Sequence, residues 1–202
     1  MKDYQLEEFI LDMPENSLNL NIPYAFFTEH TTLNWNELYF GFKSQYVSIN
    51  YAIEKAVSVV SINDSASNTL FELASLFKDE EDLAKKYIND LIEEKIIDST
   101  LLENKQFMID CKNKYLYIAL LWLYQDPKKN NHPKGYENSL EEIDYSTKVY
   151  DVIWDFKVPS IPARDFRYFT MSFEVTEKNQ ELFLNRWYQF LEEQKQIVEK
   201  NI

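Results

Sequence analysis

The chain has 202 residues, 45% of them hydrophobic and 16% aromatic, a composition that excludes intrinsic disorder and is long enough to bury a core. Its formal net charge of −13 opposes nucleic acid and anionic membrane surfaces, because gripping either requires an excess of Lys and Arg. A single cysteine, Cys111, excludes an internal disulfide and a cysteine zinc site, and leaves a buried thiol as the expectation.

In chain order, residues 1–21 read as a weakly ordered lead-in to a single domain over 22–202. The polar–apolar alternation through Leu18, Leu20 and Ile22 allows a short strand that stops at Pro23. Asn34 followed three positions later by Glu37 predicts a capped helix, which Gly41 is expected to end. Ser48 opens a second helix, where Ile49, Ala52, Ile53, Ala56, Val57 and Val60 share one face until Asn63, Asp64 and Ser65 break it. A third runs from Ser67 to Phe77. Asp79 caps a fourth, with Leu83, Ala84, Tyr87, Ile88, Leu91 and Ile92 as its apolar stripe.

The next helix starts at Asp98 or Ser99. Its segment Tyr115–Tyr124 is apolar nearly all round, as expected of a helix with neighbours on several sides. Lys128 to Gly135 reads as an exposed, locally basic loop. Ser139 with Glu142 forms a capping box for a helix that continues through Val149, Val152, Ile153 and Phe156 and stops before Pro159. Pro159 and Pro162 bound an extended connector. From Phe166 to Val175 the apolar residues alternate, which allows a strand paired with the N-terminal segment. Thr176 and Asn179 precede a last helix with Leu182, Phe183, Arg186, Trp187, Phe190 and Leu191 inward, and the tail beyond Gln194 is expected to fray. The fold class is therefore mainly α: about seven helices in one multi-helix domain, with a short strand pair from the N-terminal segment and residues 166–175 left open. An α-solenoid-like stack also fits helix pairs of this length.

Chemistry is constrained mainly by what is missing. With only Gly41 and Gly135 in the chain, no phosphate-cradling glycine loop and no nucleophile elbow can be written. His30 and His132 both fall in predicted loops, outside any H-E-x-x-H or E-x-x-H spacing. Glu93–Lys95 and Glu103–Lys105 match the E-x-K fragment of a nuclease site, a fragment common in any Lys- and Glu-rich chain. The one helix with a concentrated sector of charge carries Glu141, Glu142, Asp144, Asp151 and Asp155, relieved by Lys148. Such a sector serves as a solvated face, as a grip on a basic partner, or as acid–base or cation-binding machinery. Trp35, Trp122, Trp154 and Trp187 fall on predicted inner faces, with a rim Trp available as an interface anchor. Neither a basic leader nor a spanning apolar run is visible, since the longest apolar run, Tyr115–Tyr124, is about half the roughly 20 residues a membrane helix needs. A cytoplasmic protein is expected.

Three stretches resemble a bacterial family known only as a domain of unknown function. They are Leu33-Asn34-Trp35-x-Glu37-Leu38-x-x-Gly41 with Ala52-Ile53-x-x-Ala56; Leu121-Trp122-Leu123-Tyr124 with Val149-Tyr150 and Asp155-Phe156-x-x-Pro159; and Leu184-x-x-Trp187-x-x-Phe190-Leu191. Together they span residues 22–194. The family resembles cytosolic immunity proteins of polymorphic toxin systems. That resemblance implies a helical, non-enzymatic protein without a cofactor or metal, whose partner is a cognate toxin or another basic protein rather than nucleic acid or a membrane. The acidic residues 141, 142, 144, 151 and 155 are then the expected contact, with the oligomeric state left open. The alternatives are an enzyme with a carboxylate-based, metal-assisted site on helix 141–155, and a helical adaptor.

Overall fold

The computed structural model describes residues 9–63, 65–125, 145–173, 176 and 178–200. Most of them are helical, as the composition and periodicity predict. Among the described residues there are nine α-helices and no strand. The helices are α1 (Tyr24–His30), α2 (Trp35–Lys43), α3 (Asn50–Val60), α4 (Asn68–Ala74), α5 (Glu81–Glu93), α6 (Lys105–Gln125), α7 (Tyr145–Phe156), α8 (Ile161–Ser172) and α9 (Gln180–Lys200). A 3-10 turn, Ser99–Glu103, precedes α6. None of these helices is long and apolar enough to cross a membrane. By contact the chain divides into two compact units, residues 21–102 and residues 1–20 with 103–202.

In the 21–102 unit, the capping signal at α2 is realised. The Glu37 N–H donates to Asn34 Oδ1 at 2.9 Å, and the Asn34 N–H donates to Glu37 Oε2 at 2.7 Å. Gly41 does not end this helix. It is buried inside it, and the stop comes at Gln45, whose φ is +61°. The Gln45 N–H reaches the Phe42 carbonyl at 3.2 Å and the Tyr46 N–H reaches the Gly41 carbonyl at 3.1 Å, the paired closure of a Schellman end. Helix α5 ends the same way at Lys95, φ +60°, with Lys95 and Ile96 N–H groups on the Ile92 and Leu91 carbonyls at 3.0 Å each.

The core of this unit is where α3, α4 and α5 meet. Ala52, Ile53, Ala56, Leu70, Leu73, Ala84, Ile88, Leu91 and Ile97 are all buried there. The alanines lie where one helix faces another and let α3 and α5 approach without large side chains between them. Two polar ties fasten the flanking segments. The Tyr51 hydroxyl donates to the Ile22 carbonyl, and Lys55 Nζ donates to the Leu33 carbonyl while lying 5.4 Å from the Trp35 ring centroid. Helix α1 was not expected. Its seven residues carry little periodic signal, and burial of Tyr24, Phe26 and Phe27 is what stabilises it. His30 is therefore the last residue of a helix, its ring 4.5 Å from Phe26, rather than a loop residue.

In the other unit, α6 packs against α7 and α9, and α8 packs against α7 and α9. From Cys111 to Leu120 every residue of α6 is buried; the run overlaps the apolar segment Tyr115–Tyr124, in which Leu121 and Tyr124 are half-buried, and begins earlier, at the polar stretch Lys112–Lys114. Rings dominate the contact of α8 with α9. Phe166 stacks on Phe190 at 4.6 Å and Phe169 on Phe183 at 6.0 Å, while Phe183 meets Trp187 edge-on at 5.9 Å. The strand expected over 166–175 is thus a correction: residues 161–172 are helical. The buried positions Ala163, Phe166, Arg167 and Thr170 follow a three-four spacing, and Met171, which completed the apparent alternation, is exposed. Its proposed partner strand is absent as well. Asn16 closes a turn by accepting the Leu20 N–H at 2.8 Å and donating to the Leu20 carbonyl at 3.0 Å, with Asn19 at φ +49°. The extended connector is also shorter than expected, because Pro162 sits in the first turn of α8, where a missing N–H costs nothing. Likewise α9 continues past Gln194 to Lys200, since Val198 still buries itself. The predicted basic loop 128–135 and the Ser139–Glu142 capping box lie outside the described residues.

Two stability predictions follow from these geometries. Phe166→Ala should cost about 3–5 kcal/mol and Met171→Ala under about 1 kcal/mol in urea unfolding, whereas a strand would reverse their order of importance. Lys95→Gly should raise the urea midpoint by an amount worth about 0.5–1 kcal/mol, because glycine adopts positive φ without the side-chain penalty.

Candidate binding face on helices α7 and α8

Helix α7 turns Val149, Val152, Ile153 and Phe156 into the core, each fully buried. That spacing decides what the remaining positions do. Tyr150 and Trp154, one turn apart, fall on one flank, and Asp151 and Asp155 fall beside them. Trp154 was expected on the inner face but is 46% exposed. It follows Ile153 directly and so lies about 100° round the helix from a core position. The other Trp residues do turn inward: Trp122 and Trp187 are buried, and Trp35 packs half-buried on the α3–α5 core.

The Tyr150 and Trp154 rings stack with centroids 6.1 Å apart and planes 15° from parallel. Arg167 of α8 supports Trp154 from within the fold. Its guanidinium carbon lies 5.9 Å from the Trp154 ring centroid, and Nη2 donates to the Val158 carbonyl at 3.0 Å. A buried cation against a π face restricts the ring orientation as well as attracting it. Beside the pair lies a shallow cleft of about 260 Å³ lined by Thr147, Tyr150, Thr170 and Met171. Tyr168 and Met171 of α8, three positions apart, are both exposed. The result is a partly apolar, aromatic surface whose cleft is lined by two threonines, a tyrosine and a methionine.

The five acids expected to act together are placed differently. Glu141, Glu142 and Asp144 lie outside the described residues. Asp151 is half-buried beside Tyr150. Asp155, one turn on, takes two hydrogen bonds through Oδ2, from the Ser17 N–H at 3.1 Å and the Ser17 hydroxyl at 2.8 Å. Burial raises its carboxyl above the ordinary aspartate range. Ser17 opposes that shift, and the nearby charges of Glu15 and Asp151 add to it. Asp155 is thus engaged with its own chain, whereas Asp151 flanks the aromatic pair. Neither lines the cleft, and among the described residues no three His, Cys, Asp or Glu side chains gather in a metal-holding cluster.

Sequence reasoning found the helix and its acids but not the aromatic pair, although the i, i+4 spacing of Tyr150 and Trp154 off the core stripe was the available signal. Chemically the arrangement suits binding. A planar aromatic shelf next to a carboxylate receives a guanidinium or ammonium group by π attraction and charge together.

Residues 24–195 match the bacterial family described as "Uncharacterized protein conserved in bacteria (DUF2247)". That span nearly coincides with the 22–194 covered by the quoted motifs, and the family's description assigns no activity. No curated protein and no solved structure matches the chain. With most of its length inside the match, the chain belongs to the DUF2247 family.

Proposed function

We propose that this DUF2247 protein is a non-enzymatic binding protein that grips a basic protein partner through the α7–α8 face, and that neutralising a cognate toxin is the service this grip performs. The single observation that carries the reading is the exposed Trp154 ring, stacked on the half-buried Tyr150 beside Asp151. A large apolar ring left in water is costly, and Trp and Tyr on a supported surface are the side chains most often found at interface hot spots. The net charge of −13 supports a cationic partner, since a field of that sign speeds encounter with basic surfaces. Toxins that act on nucleic acids or phosphorylated cofactors need basic clefts for their own substrates, so an acidic, aromatic face is a suitable plug for them. The toxin as partner class rests on the resemblance to immunity proteins.

The test is to read the genes on either side of this one and, where a toxin domain is encoded there, to measure its inhibition by the purified chain. Trp154→Ala should weaken the complex by about 2 kcal/mol or more, roughly thirtyfold in Kd, chiefly through faster dissociation. Asp151→Lys should slow association in dilute salt, with the deficit shrinking toward 1 M salt, where screening reduces the reach of charge to about 3 Å. Undiminished affinity in both variants would remove this face from the interface. A neighbouring toxin that the chain neither binds nor inhibits would remove the proposed function itself.

A further inference from the structure

The cleft beside Tyr150 has a chemical polarity of its own. On α7, Thr147, Tyr150, Asp151 and Trp154 recur at i, i+3, i+4 and i+7, so they form one stripe apart from the buried Val149, Val152, Ile153 and Phe156. Thr147 and Tyr150 of that stripe line the cleft, and α8 supplies its other lining residues, Thr170 and Met171. Asp151 stands one turn along α7 from Thr147.

What these groups offer a ligand is uniform in sign. Thr170 is 7% exposed, and its hydroxyl donates to the Arg167 carbonyl at 2.9 Å. With that proton committed, the hydroxyl has lone pairs left to offer. Tyr150 offers a π face, Met171 a flexible and polarisable thioether, and Asp151 a carboxylate. Among the described residues that line the cleft, none is basic. Arg167 braces Trp154 but is itself buried, with Nη2 on the Val158 carbonyl. The lining therefore suits a group that donates hydrogen bonds, carries positive charge and enters on an apolar stem. At about 260 Å³ the cleft is smaller than the roughly 300–1,000 Å³ sites that enclose whole small molecules, so it suits one side chain whose backbone stays outside.

We propose that this cleft seats a single arginine side chain of the partner, with its stem against Met171, its guanidinium plane against Tyr150 and its N–H groups directed to Asp151. The partner is the basic protein proposed above, and the inference rests on that reading; it adds which residue of the partner is the anchor. The net charge of −13 draws in lysine and arginine alike, so the choice between them falls to shape. A guanidinium is planar, stacks on an aromatic face and spreads five donors over several acceptors. It is also more weakly hydrated than an ammonium and loses less on entering a partly apolar cleft.

The experiment titrates the whole chain, carrying carbon-13 in its methionine methyls, with the Nα-acetyl methylamides of arginine, lysine and citrulline and with free arginine, at matched ionic strength. Met171 reports from the cleft, and Met108, buried in α6, is the internal control. The blocked arginine should shift the Met171 methyl saturably and leave Met108 in place. Blocked lysine should bind more weakly, and citrulline, which keeps the shape without the charge, should leave Met171 unshifted. Asp151→Asn and Tyr150→Leu should each weaken the arginine probe by about two- to fivefold. If Tyr150→Leu does not fold, Asp151→Asn decides alone. A Met171 methyl that stays still, that moves only together with Met108, or that responds to lysine or citrulline as readily as to arginine would overturn the arginine cleft. Undiminished binding in Asp151→Asn would do the same. So would free arginine binding far more tightly than the blocked probe, since that marks a site for the amino acid itself. Toxin inhibition that depends on Trp154 without any response to the arginine probe would strike the cleft and spare the reading above. A seated arginine probe in a chain that does not inhibit its neighbouring toxin would strike that reading and leave the arginine site standing.

Discussion

Burial of α6 is the constraint from which the unit formed by residues 1–20 and 103–202 takes its form. An all-round apolar helix is stable in water only when covered, and α7 and α9 are the helices packed on it. The same burial encloses Lys112, Asn113 and Lys114, each nearly inaccessible. Buried polar groups need partners, and those partners shape the unit. Lys112 finds the Phe9 carbonyl, and so brings the N-terminal segment onto the helix. Gln194 of α9 donates to the Asn113 side-chain oxygen at 2.7 Å, while Asn113 donates to the Ile109 carbonyl at 2.9 Å. These bonds set the register of α9 on α6 more narrowly than apolar contact alone, since sliding by a turn would strand buried donors.

Scarcity of glycine leaves its mark on how helices end. With two glycines in the chain, one of them inside α2, the left-handed residues among those described are Asn19, Gln45, Lys95 and Lys157. Each carries a side chain where glycine would be unstrained. The hydrogen bonds of the Schellman ends at Gln45 and Lys95 offset that cost by satisfying otherwise orphaned carbonyls. At Lys157 the left-handed turn aims the chain so that the ammonium reaches the Phe9 ring. Helix ending and contact with the N-terminal segment thus share one residue.

The aromatic residues divide by role. On α8 and α9 the phenylalanines and Trp187 stack into a buried layer, where offset and edge-on rings add to the area they hide. On α7 Trp154 is turned outward, stacked on the half-buried Tyr150 and braced by Arg167. A braced ring loses little freedom on binding, which is why such a surface favours association. The acidic helix anticipated as one continuous contact resolves, where it is described, into two roles: Asp151 beside the aromatic pair and Asp155 turned to Ser17.

Much of the fold was legible from local signals. The Asn34–Glu37 box, most of the α3 and α5 stripes, the burial of α6 and most of the inner face of α9 depend on interactions within a few residues, and the sequence by itself determined them, although Val57, Leu83 and Leu182, expected inward, are exposed. It also determined the acidic charge and the absence of glycine-loop chemistry. Helices α1 and α8 were not legible, because seven residues after Pro23 and an aromatic run that fits two periodicities are settled only by what they pack against. The tertiary structure alone decided that Phe166 faces Phe190, that Trp154 faces outward, and that Ser17 occupies Asp155 from 138 positions away. Local sequence encodes backbone preference and amphipathic phase, but the partner of a side chain is chosen by the whole chain's need to cover apolar area and to leave no buried polar group unbonded.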